Sequence, residues 1–147
     1  MVLFAGSDRD QLRRTWLEAW RKHRGGLPLE PLEAQLADVI SAHPEYHALI
    51  EAGPESAARD WTPEGGESNP FLHMALHMAV REGVATDRPP GLRAAFLALA
   101  TASASAHEAE HRLLECLAES LWEAQRAGRP PDEAAFLDRA NRLVPRR

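Results

Sequence analysis

Three times in this chain two histidines stand four residues apart: His43/His47, His73/His77 and His107/His111. Residues four apart are neighbours on one face of an α-helix, so each pair can offer two imidazoles to one point in space if its segment is helical. The rest of the chain supports helices. It holds 26 Ala and 19 Leu, both strong helix formers, against only 5 Val, 2 Ile and 4 Thr, too few β-branched residues for a substantial sheet. At 147 residues the length suits one domain with a core of its own. The expectation is therefore a single all-α domain over residues 1–147.

The helix limits are written in the caps. A first helix starts at Ser7 or Asp8, buries Leu12, Trp16, Ala19 and Trp20, and stops at Gly25-Gly26. Pro31 opens a second with the stripe Leu32, Leu36, Val39 and Ile40. That stripe runs on through His43, Tyr46, His47 and Ile50, with a kink or restart expected at Pro44. Residues 52–68 carry no periodic signal and read as a long loop whose Trp61 packs onto the helices, a candidate lid. Asn69-Pro70 caps a third helix that is apolar on nearly every side, as a buried helix is. Pro89-Pro90 opens a fourth. Ser105 and Glu108 form a capping box for a fifth, which Gly128 ends, and Pro130-Pro131 opens a short last one. The sum is a bundle of five to six helices. Its central pair is expected to carry His73/His77 and His107/His111 facing each other.

At about 100° per residue, His77, Leu76, Val80 and Val84 share an arc with His73, and His111, Leu114, Ala118, Leu121 and Trp122 share one with His107, all expected to face inward. Inward-facing imidazoles need partners in a low-dielectric interior, and a shared metal ion satisfies several at once. Glu115, one turn beyond His111, extends the set to H-x-x-x-H-x-x-x-E. The expected metal ligands are His47, His73, His77, His107, His111 and Glu115, with His43 and Glu110 as secondary candidates. Glu110 is read chiefly as a carboxylate that orients an imidazole. A mixed His/carboxylate set favours a divalent metal, iron (mono- or dinuclear) ahead of zinc.

Familiar templates fit less well. His107-Glu108-Ala109-Glu110-His111 satisfies H-E-x-x-H, but Glu108 lies about 100° from His107 and has a capping role to fill. The paired E-x-x-H motifs of di-iron carboxylate bundles are not met, because no glutamate stands three residues before His73 or His77. In kind, though not in chain order, the ligands are nearer those of hemerythrin or of the three-histidine DinB-like bundles. His23 reads as a basic residue at a helix end, and Cys116 points away from His107.

Four segments, RRTWLEAWRKH, HPEYHALIE, NPFLHMALHMAVRE and AEHRLLECLAESLWEAQR, together resemble an uncharacterised proteobacterial family, the domain of unknown function numbered eighteen forty-one. The likeness covers nearly the whole chain but implies no activity. The sixteen Arg against one Lys suit a GC-rich bacterial genome, in keeping with the resemblance.

The functional expectation is a metal-binding helical protein whose His/Glu site serves oxygen or redox chemistry or sensing. The alternative is a non-catalytic interaction module with a structural metal or none, acting through helix faces. In it Trp16, Trp20 and Trp122 would anchor a homodimer, although core packing is the preferred reading of these tryptophans. A net charge of −5 argues against nucleic-acid and anionic-membrane partners. No run of residues is apolar enough to cross a bilayer, Met1 to Gly6 lacks the marks of a signal peptide, and one cysteine permits no intrachain disulfide. A cytoplasmic protein is expected.

Overall fold

The structure, a computed structural model, describes residues 9–55, 59 and 69–146. These residues form helices only: α1 (Arg9–Arg24), α2 (Pro31–Ser41), a 3-10 turn (Pro44–Tyr46), α3 (His47–Glu51), α4 (Pro70–Thr86), α5 (Leu92–Ala102), α6 (Ala106–Ala127) and α7 (Glu133–Leu143). Seven α-helices among the described residues exceed the five to six expected. Pro44 is the reason: it lacks the amide hydrogen that a continuing helix needs, and the second helix restarts as α3.

The caps act as the sequence implies. Glu30 and Glu33 make a reciprocal capping box at Pro31, and Asn69 Oδ1 accepts from the amides of Phe71 and Leu72. Ser105 Oγ accepts from the amide of Glu108, and the Glu108 carboxylate accepts in turn from the amide of Ala104. Glu108 is thus committed to the cap, as argued against its reading as a protease base. α7 is capped by Asp132, just past the prolines. Gly83 is required by close approach, because a Cβ there would lie 2.9 Å from the Arg88 carbonyl oxygen and from Leu92.

The chain divides into two compact units, Met1–Met78 and Ala79–Arg147. α4 is continuous through the division, its first nine residues belonging to one unit and the remainder to the other. In the first unit α1 packs on α2 and α3. Its core joins Trp16, Ala19 and Trp20 to Leu36, Val39, Ile40, Ile50, Phe71 and Met74. Removing each such large apolar side chain from water contributes roughly 1.5–3 kcal/mol. The second unit packs α5, α6 and α7 on one another around Leu92, Leu99, Leu113, Leu117 and Phe136.

No helix among the described residues is long and apolar enough to cross a membrane. Trp61 and most of the 52–68 loop lie outside the described residues.

Candidate metal centre

The first unit gathers three imidazoles. His73 and His77 stand one turn apart on α4, and their Nε2 atoms are 3.1 Å from each other. His77 is fully buried and His73 half-buried, so the contact lies at the inner side of the helix. The ring of His43 comes in from the end of α2, 4.5 Å from the His77 ring and 5.3 Å from the His73 ring, centroid to centroid. His43 is itself buried, and its Nδ1 donates to the carbonyl oxygen of Val39 at 2.7 Å. With the proton on Nδ1, Nε2 is the basic nitrogen of that ring.

Tyr46 completes the surroundings, stacked on His43 at 5.6 Å and edge-on to His73 at 6.0 Å. Burial, and secondarily the Glu45 carboxylate, push its phenol above the usual range, so it stays protonated. The sequence pattern puts Tyr46 in the inward stripe and gives it no role at the site. Its position three residues after His43 was the available signal.

His47 has different neighbours. Its Nε2 donates to the Ile40 carbonyl oxygen at 2.8 Å, and its ring lies 4.6 Å from that of Trp20. Because Pro44 intervenes, His43 and His47 are not one turn apart on a common helix. His43 precedes the 3-10 turn and His47 opens α3. Of this pair, the secondary candidate His43 is the residue packed against His73 and His77.

The remaining candidates belong to the second unit. His107 is exposed in the first turn of α6. His111 is half-buried, with Nδ1 3.5 Å from an oxygen of Glu115, whose side chain is two-thirds exposed. Glu110 is buried, and both its oxygens lie 3.0 Å from Nε of Arg81 on α4. Charge pairing between helices leaves no periodic trace in a sequence, although Arg81 does follow His77 by four.

Other singled-out residues take structural places. His23 stacks on Trp20 at 5.2 Å in the last turn of α1. Cys116 is buried, and burial raises its thiol above the usual range, so it is a poor nucleophile. Trp16 and Trp20 are core residues, whereas Trp122 is 55% exposed with the Arg126 guanidinium 4.6 Å from its ring.

Helices throughout the described residues, with clustered imidazoles, define only a broad class of protein. A narrower placement comes from the family model described as "Domain of unknown function (DUF1841)", which matches residues 8–142. The chain belongs to that family. No curated protein matches it, and no solved structure does.

Proposed function

We propose that the protein binds a divalent transition metal through an imidazole cluster centred on His77, with His73 and His43 as its companions. The observation that carries this reading is the 3.1 Å separation of the His73 and His77 Nε2 atoms beside the buried His43 ring. Metal–imidazole bonds of about 2.0–2.1 Å, at angles between octahedral and tetrahedral, put two ligand nitrogens about 2.9–3.4 Å apart. The Val39 carbonyl supports it too, since a backbone acceptor on Nδ1 is the usual way a ligating histidine is oriented.

A preference for iron rests on a mixed His/carboxylate set. Glu110 is engaged by Arg81 and Glu115 lies at the surface, so the imidazoles carry the reading, and imidazole suits zinc and iron alike. Iron with an open position supplies oxygen or redox chemistry or sensing; zinc with every position filled is structural.

The test is metal analysis of protein purified without a tag or a nickel column, and of alanine variants at His43, His47, His73, His77, His107, His111 and Glu115. His77→Ala is expected to lower affinity by about two orders of magnitude or more and to melt like the chelated protein. Less than about 0.3 metal per chain, with melting unchanged by chelation, overturns the proposal. His23→Ala is the control and leaves metal content unchanged.

The exposed Trp122 favours a second reading, an interaction module acting through α6. A monomeric mass at high concentration removes its homodimer form.

A further inference from the structure

A second feature of the first unit is a cavity of about 540 Å³, which lies against α1 and residues 50–54 and is within the size range of small-molecule sites. Its lining divides by chemistry. Trp20 and Ile50 are buried and Leu17 half-buried, while the guanidiniums of Arg14, Arg21 and Arg24 belong to exposed residues. An apolar interior with a cationic mouth is the result.

The cations are not equivalent. Arg21 donates to both oxygens of Glu18, from Nε at 2.9 Å and from Nη2 at 2.5 Å. That pairing holds the Glu18 carboxyl below its usual range. Arg24 is paired with Glu51. Arg14 makes no ion pair among the described residues, so two carboxylates offset two of the three guanidiniums and one positive charge remains.

We propose that this cavity binds a small monocarboxylate with an apolar body, its carboxylate on Arg14 and its body against Leu17, Trp20 and Ile50. A guanidinium fork matches a carboxylate in a bidentate pair. A dianion lacks a second uncommitted cation, a cationic ligand meets the charge of Arg14, and a neutral one leaves that charge unused.

The test uses the full chain, untreated and metal-depleted, with three probes of one shape: naphthoate, naphthalenemethanol and naphthylmethylammonium. Calorimetric titration is expected to show naphthoate binding about tenfold or more tighter than the alcohol. Arg14→Ala, at an exposed position, brings the two to about equal affinity. Arg14→Glu reverses the preference toward the ammonium, and Leu17→Trp fills the cavity and weakens all three. Equal binding of naphthoate and the alcohol by the unaltered protein overturns the proposal. So does naphthoate affinity unchanged by Arg14→Ala, or no binding of any probe at about 1 mM. Should Leu17→Trp fail to fold by circular dichroism, the Arg14 variants still decide.

Discussion

The His73/His77 pair on α4 and the His107/His111 pair on α6 have the same spacing and different surroundings. On α4 the two imidazole nitrogens meet at 3.1 Å, with one ring fully buried and a third histidine packed beside it. On α6, His107 is exposed and His111 reaches a surface glutamate at 3.5 Å. A spacing of four puts two side chains on one helical face, and nothing more. Burial and the neighbouring elements decide whether they are held together, and at what cost in water lost from their polar atoms.

The largest expected effect tests that contrast directly. If the α4 cluster is the site, His77→Ala abolishes stoichiometric metal while His111→Ala and Glu115→Gln change affinity by less than about tenfold. Equal losses on both helices, measured by metal analysis and competitive titration, erase the distinction and enlarge the ligand set to α6. The next effect contrasts the two glutamates of α6. Arg81→Met leaves Glu110 buried without that counter-charge and is expected to cost about 2–3 kcal/mol, below a fully buried pair because Arg81 is one-third exposed. Glu115→Gln, at the surface, is expected to stay within about 0.5 kcal/mol in the same urea titrations. Ser105→Ala removes the α6 cap and should cost about 1 kcal/mol, seen as a lower Tm.

The smallest effect is electrostatic and sits in the first unit. The Glu33 carboxyl is held below its usual value of 4.5, first by the Glu30 amide and then by Lys22. A carboxyl depressed in the folded state adds stability above its unfolded pKa and loses it as pH falls through the folded one. Glu33→Gln should therefore flatten, slightly, the loss of stability between about pH 6 and pH 3. A steeper loss would reverse the sign assigned to this cap.

What the sequence shows of this fold is its local chemistry. Pro31, Asn69-Pro70, Ser105 and Gly128 mark helix ends because caps act over three or four residues, and the structure puts helix limits there. The division at Met78 is invisible in the same residues, since α4 runs through it unbroken and only long-range contacts reveal it. The candidate site was legible in residue type and less so in membership. His73 and His77 stand together as their spacing implies, but the third ring is His43, because a proline four residues upstream of Ala48 decides which member of the pair turns toward α4. The Arg81–Glu110 pair spans 29 residues, and no periodic pattern reports it.

Pro44 also gives His43 and His47 separate surroundings. On an unbroken helix, a change that rotates one of two residues four apart rotates the other with it. Across the 3-10 turn each ring answers to its own surroundings, His43 to the imidazoles of α4 and His47 to Trp20 and the Ile40 carbonyl. Scoring His43-Pro44-Glu45-Tyr46-His47 as one helical pair in a comparison of sequences would merge two residues held by different neighbours.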